Sequence, residues 1–251
     1  MYRKIKQVKV FKVGGCIRDT LMGVKSNDID YVVEANSYEE MKQHIIDSNC
    51  KIYKEFPQYF TIRAKSIVGE DVDYTLCRKD GYYSDNRRPD EVRIGTLEED
   101  LSRRDFTMNA IAFEITNSSS LKIDKYSIID PFGGYKDIKN KIIRCVGDTE
   151  ERFNEDPLRV IRALRFSILK DFNLSREILN YLKRPFFLLS RLQTISSERI
   201  VVELNKCFTF DTYRTLQVFF RKEYRDLDRI MKRLLEDKKI DLGATYLPDK
   251  K

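Results

Sequence analysis

The sequence predicts an α+β protein, a mixed sheet with helices in the first half followed by an all-helical second half. Two patterns carry this. Short runs with strand periodicity, separated by glycine, proline and capping signals, fill residues 8–115, whereas amphipathic helical patterns dominate after Gly147. Charge divides in the same way: residues 1–137 hold 22 basic and 23 acidic side chains and residues 138–251 hold 25 and 17, giving −1 and +8. The texture shifts at Asp130-Pro131-Phe132-Gly133-Gly134, and the domain boundary is placed near residue 137, giving units 1–137 and 138–251.

The first element is a strand, Val8 to Val13. Gly14-Gly15 then permits close backbone approach before a short helix through Leu21 that ends at Gly23. Backbone amides at that helix start form a phosphate-sized nest. Next comes Asp28-Ile29-Asp30. A strand alternates its side chains with period two, so Asp28 and Asp30 share one face while Ile29 and Tyr31 take the other. An oxygen-only, carboxylate-rich pair suits magnesium, which keeps waters and phosphate oxygens in its remaining positions, so a nucleoside triphosphate is the implied substrate. The same four residues, Asn27 to Asp30, also suit a plain polar turn entering a strand.

Ser37-x-x-Glu40 is a capping box opening a helix to Asn49, followed by strands at Ile52–Phe56, Tyr59–Ala64 and Val72–Cys77. Asp80 to Pro89 has the glycine, proline and polar content of a mobile loop of the kind that closes over substrates. A second capping box, Thr96-x-x-Glu99, introduces Arg103-Arg104-Asp105-Phe106-Thr107-Met108-Asn109-Ala110 before the apolar strand Ile111–Ile115. A charged cluster so near a buried strand suggests a site. Helices are predicted over Pro157–Leu169, Ser175–Lys183, Ser197–Phe208 and Asp211–Leu235, with a frayed tail from Leu242.

Composition removes several function classes. At 251 residues and 41% hydrophobic, the chain can build one large or two modest cores. It has no apolar run near the roughly 18 residues needed to cross a bilayer, and residues 1–6 lack the apolar segment of a secretory signal. A soluble, cytoplasmic protein is expected. Five widely spaced cysteines without a Cys-x-x-Cys pair suit reduced thiols rather than zinc. The one histidine, His44, falls on the Ser37–Asn49 helix surface, which excludes histidine triads and histidine-rich metal clusters. The basic second half suits a polymer of phosphates, although a solvated lysine-rich helix surface has the same composition.

Glu155-Asp156-Pro157-Leu158-Arg159 opens a predicted helix. Spacings of three and four residues put Glu155, Asp156 and Arg159 on one face. A carboxylate that accepts beside a guanidinium that donates can pair with the Watson–Crick edge of a base carrying an exocyclic amine, C or A. Asp before Pro is equally a helix cap, and Arg159 equally a salt-bridge partner. Arg162 and Arg165 continue the arginine row.

Taken in order, Gly-Gly-x-x-Arg-Asp, Asp-x-Asp, Arg-Arg-Asp-Phe-Thr-Met-Asn-Ala and Glu-Asp-Pro-Leu-Arg-x-x-Arg resemble the signature of class II tRNA nucleotidyltransferases and their bacterial poly(A) polymerase relatives. The resemblance covers roughly residues 8–208, since Ser197-Glu198-Arg199-Ile200 and Glu203-Leu204 also match. It implies a DNA-polymerase-beta-like head, a helical neck and a reduced body. It further implies addition of C, C and A to tRNA 3′ ends from CTP and ATP without a nucleic-acid template. Carried over by residue, Asp28 and Asp30 would bind two magnesium ions, or manganese in their place, with Asp73 as a third catalytic acid. Gly14, Gly15 and Arg18 would hold the triphosphate, and Arg104, Asp105 and Asn109 would shape the ribose and phosphate site. Asp156 and Arg159 would read the base, with Glu155 orienting Arg159 and Arg162 nearby, and the Asp80–Ile94 loop would serve the switch to ATP. Familiar bacterial members continue into a larger body and tail that grip the tRNA elbow, so a partner supplying that grip is one expectation, with oligomeric state open. Within the family the motifs leave poly(A) addition and partial CC or A addition open. A small-molecule nucleotidyltransferase fits the basic second half poorly, and an inactive RNA-binding protein requires loss of acids that are all present.

Overall fold

Alternation builds a seven-stranded mixed sheet in the computed structural model, which describes residues 7–26, 29–81, 91–116, 123, 126–220, 224 and 227–242. Its strands are β1 (Lys9–Val13), β2 (Asp30–Glu34), β3 (Lys51–Phe56), β4 (Thr61–Lys65), β5 (Asp71–Leu76), β8 (Ala112–Ile115) and β9 (Ile128–Ile129), ordered β3-β4-β5-β2-β1-β8-β9. Only β2 and β5 run parallel within it. The helix between them, α2 (Tyr38–Asp47), starts at Ser37, whose hydroxyl accepts from the Glu40 amide at 3.0 Å. Met41 and Ile45, one turn apart, are fully buried against Val33, Ile62, Ala64, Val72 and Leu76. Each such side chain contributes about 1.5–3 kcal/mol of burial. Since β5 alternates, sending Val72, Tyr74 and Leu76 to α2 leaves Asp71, Asp73 and Thr75 on the opposite face.

The opposite face is closed at its centre and open at one side. Phe11, Val13 and Val32 are buried there, with α1 (Gly15–Leu21) packed on β1 and on α4 (Gly134–Lys139). Asp130 caps α4, accepting from the Gly134 and Tyr135 amides at 2.7 and 2.9 Å. Only glycine fits at 134, because an added Cβ would lie 2.1 Å from the Thr107 carbonyl oxygen.

The expected mobile loop is framed by structure. Its flanks pair as an antiparallel ribbon, β6 (Arg78–Asp80) with β7 (Val92–Ile94), while residues 82–90 lie outside the described residues. After it, α3 (Leu97–Ser102) begins with the complete Thr96/Glu99 capping box.

The described residues form two compact units, one up to Lys139 and one from Asn140 onward. The second contains α5 (Thr149–Glu155), α6 (Leu158–Lys170), α7 (Arg176–Leu182), α8 (Pro185–Leu192), α9 (Ser197–Phe210), α10 (Thr212–Phe220) and α11 (Leu227–Asp237). A two-residue parallel pair, β10 (Ile142–Ile143) with β11 (Asn173–Leu174), interrupts its otherwise helical texture. At its centre α6 packs on α9, with Val160, Ile161, Leu164, Ile200 and Leu204 buried. The expected Asp211–Leu235 helix is two helices, α10 and α11, that pack on each other. The expected frayed tail also shifts, since Leu242 is buried and residues 243–251 lie outside the described residues. Among the described residues no helix is long and apolar enough to cross a membrane.

Candidate active site

Gly14 ends β1 and turns the chain at φ 73, a left-handed value that glycine adopts without strain. Its amide donates to the Ile111 carbonyl at 3.1 Å, tying the turn to the residue that precedes β8. The missing side chain has a second consequence, because a Cβ at Gly14 would meet Arg104 Nη1 at 3.0 Å. Gly15 follows as the first residue of α1, and Arg18, one turn later, is almost fully buried. Arg18 Nη1 donates to Asn109 Oδ1 at 2.6 Å, and its Nε and Nη2 donate to the Asp19 carboxylate at 2.9 and 3.0 Å. Asn109 Nδ2 donates in turn to Asp105 Oδ1 at 3.1 Å. Arg104 Nη1 reaches the Asn109 carbonyl at 3.4 Å, and its other end pairs with Asp100 at 3.1 Å. Six expected residues, Gly14, Gly15, Arg18, Arg104, Asp105 and Asn109, thus occupy one continuous network.

The carboxylates belong to the neighbouring strands. Asp28 lies outside the described residues. Asp30 opens β2 and is exposed, and its register partner on β5 is Asp73. Register partners on adjacent strands point to the same face, so the two acids stand side by side on the face opposite α2. Asp73 is paired with Arg63 of β4, Nε to Oδ1 at 3.1 Å, and the next pair along is Lys65 with Asp71 at 3.2 Å. Near Asp30, burial pushes the Cys16 thiol up from its ordinary value, which keeps it protonated and unfit as a nucleophile.

In the second unit, Asp156 serves two partners. Its Oδ1 accepts from the Leu158 amide at 3.1 Å, as a cap would, and its Oδ2 accepts from Arg199 Nη2 at 2.7 Å. Arg159 is buried, donating to Glu155 Oε2 at 2.7 Å and to the Arg152 carbonyl at 3.1 Å, while Arg152 holds the other Glu155 oxygen at 2.5 Å. Glu155, Asp156 and Arg159 are therefore fixed on one corner between α5 and α6. Arg162 lies farther along α6, 3.9 Å from Glu203 Oε1, and Arg165 Nε donates to Glu203 Oε2 at 2.5 Å. Arg165 packs over the Phe166 ring at 4.2 Å. The arginine row is thus largely a helix-to-helix tie rather than a solvated face.

Four neighbours of these residues were given no role from the sequence, although two of them, Arg199 and Glu203, fall in stretches that match the family signature. Asp100 was legible in principle, lying three and four residues before Arg103 and Arg104 on α3. Arg63, Arg199 and Glu203 meet their partners only through sheet register and helix packing.

Known proteins resemble this chain over most of its length. Residues 10–144 match the family of the poly A polymerase head domain. The chain is 39% identical over 197 residues to the CCA-adding enzyme of Oceanobacillus iheyensis, covering 78% of this chain and 45% of that protein. It is 39% identical over 196 residues to the CCA-adding enzyme of Ligilactobacillus salivarius, with 78% and 44% covered. Among solved structures, the Bacillus stearothermophilus CCA-adding enzyme in complex with CTP superposes with a TM-score of 0.71 at 31% identity, covering 92% of this chain and 52% of that one. A tRNA nucleotidyltransferase complexed with a primer tRNA and an incoming ATP analog gives 0.70 at 31%, covering 90% and 60%. The chain spans about half the length of the curated relatives it matches.

Proposed function

The chain belongs to the poly A polymerase head-domain family, and from that premise we propose that it adds C and A nucleotides to tRNA 3′ ends, using CTP and ATP and releasing pyrophosphate. The observation that carries the reading is the linked set of Gly14, Arg18, Asn109, Asp105 and Arg104 beside a sheet face that displays Asp30 and Asp73.

Residues 1–137 act as the catalytic head in this reading. The Gly15 amide and the Arg18 guanidinium hold the triphosphate, and Gly14 supplies the turn before them, which needs no side chain. Asn109, fixed by Arg18 and Asp105, presents its amide edge to the sugar. Asp30 and Asp73 offer only carboxylate oxygens on an open face, and Asp28 joins them by its place in the Asp-x-Asp motif, the donor set that suits magnesium, or manganese in its place. When bound there, a pair of such ions supplies Lewis-acid activation of the primer 3′-hydroxyl and neutralises the leaving pyrophosphate. The chain's own task is positional: it aligns the α-phosphate for in-line attack. No covalent enzyme intermediate is involved, in keeping with the protonated state of Cys16.

Residues 138–251 supply the neck and body residues that select the base and carry RNA, with Asp156 accepting from the exocyclic amine of C or A and Arg159 donating beside it. Two fixed partners, the Leu158 amide and Arg199, donate to Asp156 and hold its carboxylate in place as an acceptor. Asp156→Ala is expected to admit UTP and GTP while CTP turnover falls roughly tenfold or more, since removing a hydrogen bond to the base at a preorganised site costs about 1–3 kcal/mol. Unchanged discrimination among the four triphosphates would make Asp156 a helix cap alone. The cell compartment in this reading is the cytoplasm, where tRNA is matured.

The activity is tested with tRNAs ending before CCA, after C and after CC, each offered the four radiolabelled nucleotides. Additions in the order C, C, A that then stop are expected. Unlimited A addition would make the protein a poly(A) polymerase, and termination after CC a partial enzyme.

A further inference from the structure

We propose that the open face of β3, β4 and β5 is the landing surface for the 3′-terminal single-stranded nucleotides of the acceptor RNA. This rests on the nucleotidyltransferase reading above and identifies how the head meets its second substrate. The chain of register partners is the first observation. Lys54 of β3 pairs with Arg63 of β4, Arg63 with Asp73 of β5, and Asp73 with Asp30 of β2, so one row across four strands runs from cations to carboxylates. Three strand spacings of about 4.8 Å put the outer lysine about 14 Å from Asp30.

The second observation is what this face displays. With Ile52, Ile62 and Ala64 turned toward α2, the other side of the outer strands presents Lys54, Phe56, Arg63 and Lys65. The Arg63 and Lys65 side chains are 46% and 52% exposed. The half-buried Phe56 ring lies within reach of two cations, Lys54 Nζ at 5.0 Å and Arg63 Cζ at 5.8 Å from its centroid. A β-bulge between Ile52 and Lys54 breaks the register here, the kind of irregularity that re-aims side chains beside a site.

Charge complementarity selects the occupant. Cations lie on the outer strands and carboxylates on the inner ones, so a polyanion lands outside and only its terminal hydroxyl needs to reach the acids. An aromatic ring flanked by basic groups is the platform on which an unpaired base stacks. A duplex offers no free base face for it, so a single strand is the fitting partner. Arg63 is shared with Asp73 and Lys65 with Asp71, so Lys54, together with Lys51, the register partner of Lys65, adds attraction that those acids do not offset.

The test measures binding to the full chain by fluorescence anisotropy, with a labelled single-stranded RNA hexamer and a blunt RNA hairpin as the two probes. The double variant K54A/R63A is expected to weaken hexamer binding roughly tenfold and Phe56→Leu roughly fivefold, while Phe56→Tyr keeps it and the hairpin is unaffected. Lys42→Ala, on the opposite side of the sheet, serves as the control and should change nothing. CTP binding to Lys54→Ala, which leaves the Arg63–Asp73 pair in place, should match wild type, which shows that the nucleotide site is intact. Hexamer affinity within about twofold of wild type in K54A/R63A, or an equal loss on the hairpin, overturns the surface. So does a wild-type chain that does not bind the hexamer. If wild type binds the hexamer but transfers no nucleotide, the activity falls and the surface stands; if it transfers nucleotides with an unchanged KM for acceptor RNA in K54A/R63A, the surface falls alone.

Discussion

Asp30→Ala is expected to abolish nucleotide transfer, by on the order of 10³-fold or more in kcat, while leaving the fold intact. The asymmetry between activity and stability follows from position. Asp30 is an exposed residue at the start of β2, so removing its carboxylate opens no cavity in the core. For the reaction it is central, standing in register with Asp73 on the face that Lys54 and Arg63 share. Asp73→Asn should show the same loss, with the added effect that Arg63 gives up its ion pair. Purified variants would be compared in single-turnover addition to a tRNA ending in CC, with circular dichroism as the check on folding. A well-folded Asp30→Ala protein that still adds nucleotides at near wild-type rate would remove the assignment of this face as the reaction centre.

The second large effect concerns Asp100, which lies at no reacting atom. Its carboxylate is fully buried at the end of α3 and pairs with both Arg103 and Arg104. Burial alone would raise its pKa, but the Arg103 and Arg104 guanidiniums outweigh burial and hold it below the ordinary carboxylate value. Asp100→Ala removes the anion that Arg104 pairs with, while Arg103 keeps Asp80 at 3.6 Å, and breaking such a largely buried pair costs about 3–5 kcal/mol. For a chain of this size that corresponds to a fall in Tm of roughly 6–20 °C. Arg104, freed from Asp100, would also lose its place beside Gly14, so KM for CTP should rise more than kcat falls.

The sign of the pH dependence follows from the depressed value. A carboxyl whose folded pKa lies below its unfolded one contributes stability that is complete above the unfolded value of about 3.9, and loses it as pH falls through the lower folded value. The stability gap between wild type and Asp100→Asn should therefore be constant from about pH 8 to 5 and shrink below about pH 4. Denaturant titrations across that range measure it. A gap that widens on acidification would mean that Asp100 is stabilised as the neutral acid.

Most of the head was legible because its signals are local. Strand alternation located β1, β3, β4 and β5 to within a few residues, and the Thr96 capping box forms complete, whereas at Ser37 only the hydroxyl half forms and the Glu40 carboxylate accepts from Asn36 instead. The second unit was less legible. α8 begins with Pro185 at its first position, which is good helix-start chemistry but reads as a break when periodicity is the guide. The run from Asp211 to Leu235 keeps one apolar period throughout, which hides its division into α10 and α11. In the site, residue types and order were readable, whereas partners were not. Nothing near Arg18 points to Asn109, 91 residues away, and nothing near Asp156 points to Arg199.

By itself, then, the sequence determined which residue types this protein brings to its candidate site: a glycine turn, strand-borne carboxylates, and an acid–arginine pair at a helix start. These follow from short-range rules, the period of a strand, the period of a helix and the geometry of a cap, that are written within a few residues. Tertiary structure alone decided that Lys54, Arg63, Asp73 and Asp30 form one row, that Asp100 anchors the arginine beside Gly14, and that Arg199 holds Asp156. The reason is that strand register and helix packing are set by the summed burial of side chains distant in the chain, and a slip of one residue would send every one of those groups to the other face.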